Sequence, residues 1–417
     1  MKLWVFLVRR IVLLIPVLIG VMTITFILLQ SLPLQDRLEA CYPFSPKNPI
    51  NNKTIAVAEA YCGYNQPIVV QYGHYIGNIF TLQWGYVALN SCIGNSQTCG
   101  EDTSLLQPGI TQCRALYNGS CPVLFLISAW LPYTLQLAFL SLLIIIALSL
   151  PLGTYSAVRR NRPLDQGTRI FSFSGYALPG FLLASFVFIA LFFAFQNNAA
   201  LACGGTANIY SVQGNWPPGV TLLPGAHCLA PSTGSLPFMQ NSGATAPTHV
   251  PLLDSFLYAL SHSGPAGDSG YYWFIFADGF LRIFFPALTI AYGTIASILR
   301  FVRNSTLEVM GQDFVRTARA KGVAERNVVK RHVGRTSLNA TVTVLGLTFA
   351  FFLGGFAVTE SVFDLYGVGR LFTYALLPQV DPGVLTASTL LITVLVVVAN
   401  IIVDVAYAYL DPRVRLG

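Results

Sequence analysis

The chain has 417 residues, of which 54% are hydrophobic and only 10% are charged, and its formal net charge is +7 at pH 7. Soluble domains carry about a quarter charged residues, so this chain has too few charges to cover a water-exposed surface. The composition excludes a soluble enzyme, a disordered scaffold and a nucleic-acid-binding protein. It indicates a membrane protein, and the long apolar runs described next predict an all-α fold.

Six apolar runs are long enough to cross a bilayer, since about 20 residues of helix span a hydrocarbon core of about 30 Å. They cover about residues 11–30, 131–157, 170–195, 281–301, 338–359 and 384–409. The first run is longer than the apolar region of a signal peptide, and no small-residue cleavage site follows it. We therefore predict a bundle of six transmembrane helices that includes this first run.

The distribution of positive charge predicts the orientation of the bundle. Most of the 24 lysine and arginine residues precede span 1, lie between spans 2 and 3 or between spans 4 and 5, or follow span 6. Cytoplasmic connections carry such an excess, so both termini are predicted to be cytoplasmic. The predicted parts are residues 1–30 (transmembrane helix 1), 31–127 (an extracellular loop domain), 128–195 (transmembrane helices 2 and 3), 196–280 (an extracellular loop) and 281–417 (transmembrane helices 4 to 6 with a cytoplasmic loop at 300–337).

All eight cysteines fall in the two predicted extracellular loops. They are Cys41, Cys62, Cys92, Cys99, Cys113, Cys121, Cys203 and Cys228. An even number confined to one side of a membrane indicates disulfides in an oxidising compartment. The connectivity stays open, although Cys92–Cys99 and Cys113–Cys121 close the shortest loops. A metal site is the rival interpretation, but neither the cysteine spacing nor the scattered histidines favour it, and no metal is predicted.

The loop at 300–337 is too long for a turn and has the periodicity of helices. Phe314, Val315 and Ala318 share one face, and Gly322 interrupts the pattern where a chain turn through positive φ would end a helix. We predict two short helices joined at this glycine, with an apolar stripe that they cannot bury on themselves. Such an element needs a groove in a partner protein or lies on anionic lipid, and the chemistry alone leaves both possibilities open.

Span 5 carries small residues at four-residue spacing. These are Gly346, Ala350 and Gly354, with Gly355 beside them. Small residues repeated in this way let two helices approach closely in a membrane, either within the chain or between subunits. Charged residues at or near span ends, Arg282, Glu360 and Asp404, are expected to reach the membrane surface, and pairing within the bundle is an alternative for Asp404, the deepest of them. The spans lack a chain of midplane acids, which makes a secondary transporter the weaker alternative.

The loop sequence GQDFVRTARAKGVAERNVVKRH, which begins at Gly311, resembles the "EAA" loop of ATP-binding-cassette importer permeases of the dipeptide/oligopeptide/nickel permease family. Gly322 stands at the position of the signature glycine of that loop. Other segments resemble the family in the same order, including RRIVLLIPVLIGVMTITFILLQSLP from Arg9, GYNQPIVVQYGHYIGNI from Gly63, LPYTLQLAFLSLLIIIALSLPLGTYSAVRRNRPLD from Leu131 and GGFAVTESVFDLYGVGRL from Gly354. The resemblance covers all six predicted spans.

The chain also departs from this family. Asn339 stands where the family loop usually ends in Leu-Pro, so a softer kink is expected at the start of span 5. Residues 80–127 and 200–275 have no recognisable counterpart. We therefore expect two large disulfide-containing extracellular insertions on a six-helix type I importer bundle.

The resemblance implies a plasma-membrane importer with a second, homologous permease, two ATPase subunits and an extracellular substrate-binding protein. This chain would form part of the pathway for peptides, with oligosaccharides or nickel as alternatives. It lacks the G-x-x-x-x-G-K-[ST] motif that cradles ATP phosphates, so ATP and Mg belong to the ATPase subunits and no cofactor is expected here.

The resemblance also implies roles for individual residues. The loop would transmit movement from the ATPase, and the predicted docking residues are Phe314, Val315, Arg319, Lys321, Gly322, Glu325 and Arg326. Span 5, with the small residues from Gly346 to Gly355, would lie near the translocation route and the partner permease.

Overall fold

The computed structural model describes residues 3–44, 51–88, 113, 121–190, 256, 269–363, 365, 367–376 and 380–410. These residues form helices, together with one isolated backbone bridge between Tyr86 and Pro122. The helices are α1 (Leu3–Gln30), α2 (Leu34–Cys41), α3 (Asn52–Cys62), α4 (Ile68–Phe80), α5 (Val123–Val158), α6 (Pro163–Ala177), α7 (Gly180–Ala190), α8 (Ser269–Met310), α9 (Asp313–Ala320), α10 (Glu325–Asn327), α11 (Gly334–Gly355), α12 (Ala357–Val362), α13 (Val368–Tyr374) and α14 (Pro382–Leu410), and a π-helical turn (Val328–Val333) joins α10 to α11.

Three of these helices are long and apolar enough to cross a membrane within the described residues. They are α5, the Ile283–Met310 part of α8 and the Pro382–Ile402 part of α14. The described part of α1 contributes a shorter apolar helix, Ile15–Gln30. The all-helical, multi-pass character expected from the sequence is therefore present, whereas the number of six transmembrane helices remains a prediction.

The third predicted span, 170–195, does not form one continuous helix. The chain bends by 100° between α6 and α7, which together are apolar enough for one broken span. Leu178, at φ −96° and ψ 114°, has left the helical region immediately before Pro179. The proline ring disfavours a helical residue before it and removes a hydrogen-bond donor, which explains the break.

The centre of the bundle is the packing of α5 and α6 against α8. Gly153 of α5 allows a close approach, because a Cβ atom there would lie 2.8 Å from the Val302 side chain. A Cβ atom on Gly175 of α6 would likewise collide with Ala296. Small residues therefore bring the three helices together, and the surrounding core is built from Leu137, Ile145, Ile283, Ile295, Ile298 and Leu299.

In the part of the chain that the structure describes, two disulfides lie at one end of the bundle. Cys41 pairs with Cys62 and links α2 to the end of α3, and Cys113 pairs with Cys121 just before α5. The second is one of the two short pairs considered from the sequence. The remaining candidates, Cys92, Cys99, Cys203 and Cys228, lie outside the described residues. We call this the disulfide end.

The opposite end of the bundle carries the connection between α8 and α11. Helix α5 finishes there at Val158, close to the segment that follows α9, and both contribute to one groove. We call this the loop end, and residues 311–333 the 311–333 loop.

Candidate functional site

The 311–333 loop is a small folded unit rather than an extended connection. Helix α8 ends at Met310, and only two residues separate it from α9, which begins at Asp313. The Gly311 amide donates to the Glu308 carbonyl (3.1 Å) and the Gln312 amide to the Val309 carbonyl (3.1 Å). These turn bonds fix the direction in which α9 leaves the end of α8.

Gly322 ends α9 in a left-handed conformation, with φ at +77°. Its amide donates to the Arg319 carbonyl (2.9 Å), and the next amide, that of Val323, donates to the Ala318 carbonyl (3.3 Å). This pair of bonds is the Schellman arrangement, in which glycine is favoured because it has no Cβ atom. The predicted helix-terminating role of Gly322 is confirmed.

The loop buries most of its own apolar stripe. Val315 and Ala318 of α9 pack against Val328 and Val333 of the π-helical turn and against Val309 at the end of α8. The prediction that the stripe cannot be buried without a partner is therefore wrong. The reason is that Val309 and Met310 at the end of α8 supply an additional apolar surface, which the sequence pattern of the loop does not reveal.

Phe314 does not share this burial. The residue is 41% exposed, whereas Val315 beside it is fully buried. Phe314 therefore does not share a buried face with Val315 and Ala318 as predicted. Its aromatic ring is exposed, whereas the two aliphatic side chains are buried. An exposed aromatic side chain on a firmly packed helix is a common anchor in protein interfaces.

An ion pair closes the turn at Gly322. The Arg319 guanidinium donates through Nη2 to Glu325 Oε1 (2.6 Å) and through Nε to Oε2 (3.0 Å). These charged hydrogen bonds hold the pKa of Glu325 below its usual value and raise the pKa of Arg319. The contact spans the glycine turn and fixes α10 relative to α9.

The second half of the loop continues into α11 without interruption. A π-helical turn at Val328–Val333 follows α10, and Gly334, with φ at −59°, is helical. A π-helical turn is a rare local widening that often occurs at functional sites. The softer entry into span 5 expected from Asn339 agrees with this continuous path.

The seven predicted docking residues are thus gathered on one unit but have different environments. Arg319, Lys321, Gly322, Glu325 and Arg326 are exposed together with Phe314, and only Val315 is internal. We infer that Val315 supports the surface that the other six residues present.

The small-residue strip of span 5 lies within α11. Gly346 is half-buried, and positions 350, 354 and 355 continue the same helix. The surroundings of Ala350, Gly354 and Gly355 lie outside what the structure describes. Their role in close helix contact or along a pathway therefore stays a prediction.

Glu360 occupies a position that the sequence interpretation missed. We expected it to reach the membrane surface, but it is fully buried. Its carboxylate accepts hydrogen bonds from Thr134 Oγ1 (2.8 Å) and the Arg370 amide (2.9 Å). The Gly-Val-Gly sequence at 367–369 was the available signal, since a Cβ atom on Gly367 would collide with this carboxylate. The side chains of Arg282 and Asp404 lie outside the described residues.

Comparison with known proteins places this architecture in a family. Residues 149–416 match the binding-protein-dependent transport system inner membrane component, and residues 3–103 match the N-terminal part of such membrane components. The chain is 27% identical over 410 residues to the oligopeptide transport system permease protein AppB of Bacillus subtilis, which covers 98% of this chain and 99% of that protein.

Two further relatives match over nearly their whole length. The chain is 29% identical over 409 residues to a putative peptide transport system permease protein of Brucella abortus, with 98% of each chain covered. It is 28% identical over 410 residues to the di/tripeptide transport system permease protein DppB of Pseudomonas aeruginosa, again with 98% of each covered. With the 311–333 loop inside the longer family match, the chain belongs to the binding-protein-dependent transport system inner membrane components, the permease subunits of ATP-binding-cassette importers.

Proposed function

We propose that this chain is one of two permeases that form the translocation pathway of a peptide importer. A second, homologous permease completes the pathway, and an extracellular substrate-binding protein delivers the peptide. Two ATPase subunits hold ATP and Mg and drive transport from the cytoplasmic side. Both termini and the 311–333 loop are then cytoplasmic, and the disulfide end faces the outside.

The observation that carries this proposal is the pre-folded 311–333 loop at the end of α8. Its core is already packed, so binding to an ATPase requires little further ordering of the chain. Its outer surface has an exposed aromatic ring at Phe314 and exposed charged side chains at Lys321 and Arg326. This combination suits an interface with a soluble subunit.

The peptide substrate rests on the relatives, which are described as oligopeptide, peptide and di/tripeptide transport permeases. Oligosaccharides and nickel are the competing substrates for this architecture. Uptake by cells that carry the full set of subunits distinguishes them. We expect peptide uptake to require the binding protein, and uptake of a labelled oligosaccharide or of nickel without peptide uptake would contradict the proposal.

Photo-crosslinking tests the docking surface. A photoreactive amino acid replaces Phe314 or Lys321 in the chain co-expressed with its ATPase. We expect a crosslink to the ATPase from both positions. Val57 of α3, which is exposed and apolar but lies at the disulfide end, serves as the control position and should give none. Crosslinks to lipid alone from positions 314 and 321 would favour the membrane-surface alternative.

We also infer that the strip from Gly346 to Gly355 on α11 faces the pathway or the second permease. A Gly354→Leu variant should lose transport, assembly with the second permease, or both. The exposed Leu347, on the same helix, provides a control as Leu347→Ala. Normal transport by Gly354→Leu would contradict a packing role.

A further inference from the structure

A groove of about 850 Å³ lies at the loop end, between the last turns of α5 and the segment that runs from α10 to the start of α11. Its wall on α5 is apolar and includes Ile146, Leu150 and Pro151. The facing wall includes Val329 of the π-helical turn. The groove is therefore an apolar trough beside the 311–333 loop. It shares Glu325 and Arg326 with the predicted docking residues, but Phe314 does not line it.

The groove begins inside the membrane span and ends beyond it. Ile146 lies within α5, one of the helices that are long and apolar enough to cross a membrane, and Arg159 is the residue that caps the end of this helix. Helical rise separates these two residues by about 20 Å along the axis. One leaflet of hydrocarbon is roughly 15 Å thick, so the trough has the length of an acyl chain that ends at headgroup level.

Three cations line the headgroup-level part of the groove: Arg159, Arg326 and Lys330. None of them forms an ion pair with an acid in the described part of the chain, and all three are exposed. The acid that lines the groove, Glu325, is already paired with Arg319 at 2.6 Å. The groove therefore keeps an excess of positive charge at one end.

Arg159 is held close to the groove by an aromatic ring. Its guanidinium carbon lies 4.3 Å from the centroid of the Tyr155 ring, and both residues line the groove. This cation–π contact limits the positions of the guanidinium but leaves its N–H donors available to an anion.

We propose that this groove binds one anionic phospholipid, with an acyl chain along α5 and the phosphate at Arg159 and Lys330. Basic pockets between membrane helices at the cytoplasmic side are suited to anionic headgroups. The bound lipid would contact both α5 and the 311–333 loop, and these contacts would stabilise the position of the loop relative to the bundle. This inference goes beyond the transport function and does not depend on ATP or on the transported substrate.

Charge and depth together favour a lipid over a soluble subunit. A soluble ATPase could cover the cations but could not fill the apolar part of the groove at Ile146, which lies within the span. A zwitterionic lipid fills the apolar part but leaves the positive charge uncompensated. An anionic phospholipid matches both parts.

The test measures lipid bound to the complete transporter. The wild-type complex and two variants are purified, exchanged into bilayer discs of mixed phosphatidylglycerol and phosphatidylcholine, and released for native mass spectrometry. The Arg159→Gln/Lys330→Gln variant removes two groove cations. The Arg160→Gln/Arg162→Gln variant removes the same charge from two neighbouring exposed arginines that do not line the groove.

We expect the wild type and the control variant to retain one phosphatidylglycerol per chain and the groove variant to retain at least tenfold less. Equal retention of the two lipids, or an equal loss in both variants, would overturn the proposal. Displacement of the lipid by millimolar inorganic phosphate would also overturn it, since that result identifies a phosphate site and not a lipid site.

A second measurement needs no substitution and so does not depend on the folding of a variant. A phosphatidylglycerol with a photoreactive acyl chain is incorporated into the discs with the wild-type complex. We expect labelled peptides to concentrate at residues 146–151. Uniform labelling of all apolar helices, or crosslinks from this stretch to another subunit, would overturn the proposal. Both measurements omit ATP and substrate, so failure here leaves the transport function unaffected and failure of transport leaves this result interpretable.

Discussion

Asp165 at the start of α6 and Arg303 near the end of α8 form a buried ion pair across 138 positions of sequence. Arg303 donates through Nε to Oδ1 (2.6 Å) and through Nη2 to Oδ2 (3.2 Å). The same carboxylate accepts from the Ser156 hydroxyl on α5 (2.7 Å) and from Arg169 (2.8 Å). One carboxylate thus joins the loop ends of α5, α6 and α8.

Loss of this charge should destabilise the protein strongly. Asp165→Asn leaves the Arg303 guanidinium, which is only 13% exposed, without its counter-charge. Breaking a buried ion pair by removing one partner costs about 3–5 kcal/mol. We expect a clear drop in the thermal unfolding temperature of the purified protein in detergent.

Asp313→Asn is the matched control for this change. Its carboxylate is 98% exposed and lies 3.7 Å from Arg316, so its loss should cost under about 1 kcal/mol. If both variants melted at the same temperature as the wild type, the carboxylate of Asp165 would not hold the three helices together.

The stability of the turn at Gly322 should depend on whether the residue at this position tolerates a left-handed backbone, and not on the volume of its side chain. A Cβ atom there would meet nothing within 4 Å, but φ is +77°. Gly322→Ala should therefore weaken the turn by about 1–2 kcal/mol, the cost of a left-handed conformation. Gly322→Asn should cost less, because asparagine tolerates that region.

Hydrogen exchange of the amides of α9 measures this difference. We expect faster exchange in Gly322→Ala than in Gly322→Asn. Gly311→Ala, in the same loop, serves as a control because a Cβ atom there would make ordinary contact with the Glu308 carbonyl at 3.4 Å. Equal effects of Ala and Asn at position 322 would argue against the left-handed turn.

The ion pair between Arg319 and Glu325 predicts a pH dependence confined to the loop. Because the pKa of Glu325 is lowered in the folded loop, its contribution is present above the unfolded pKa of about 4.3. The contribution is lost as the pH falls through the lower, folded pKa. Both side chains are largely solvated, so the effect should stay below about 1 kcal/mol.

After correction for intrinsic exchange, the protection of the Gly322 and Val323 amides should decrease as the pH falls through the pKa of Glu325 in the folded loop. High salt should reduce the protection in the wild type. Arg319→Gln should start with less protection and show a flatter pH profile. If Arg319→Gln had the same pH profile as the wild type, this ion pair would be excluded as the cause of the pH dependence.

Gly369 should tolerate no side chain. A Cβ atom there would lie 2.6 Å from the backbone nitrogen of Ala357 and 3.0 Å from the Glu360 carboxylate. Gly369→Ala must therefore displace backbone around a buried carboxylate, and we expect poor folding or a loss of several kcal/mol.

Gly167→Ala supplies the comparison, because this exposed glycine of α6 has nothing within 4 Å of a Cβ atom. Replacement within a helix should be neutral or stabilise the protein by up to about 1 kcal/mol. Unfolding of the two variants by heat tests both expectations, and a fully stable Gly369→Ala protein would contradict the packing around Glu360.

Local sequence signals predicted the elements whose structure depends on local chemistry. Gly322 could be recognised because a helix pattern stopped at the one residue suited to a left-handed turn. The contact of Asp165 with Arg303 could not be predicted, since it depends on how α6 and α8 pack. The burial of Glu360 was missed for the same reason, although the two nearby glycines indicated a close approach.

Proline illustrates the limit of prediction from local sequence. Pro16, Pro132, Pro151 and Pro286 all lie inside helices that continue through them, whereas the chain bends sharply at Pro179. In a membrane protein, neighbouring helices and side chains can satisfy the backbone groups that a proline frees. Whether a proline interrupts a span therefore depends on its neighbours and not on the residue itself.

Helix α8 is 42 residues long and leads directly into the 311–333 loop. At helical rise it measures about 63 Å, roughly twice the thickness of the hydrocarbon core. A tilt of only about 5° around one end of such a rod would swing the other end by about 5 Å. Small rotations of α8 inside the bilayer would thus produce large displacements at its far end. A protein bound to the 311–333 loop could drive these displacements or respond to them.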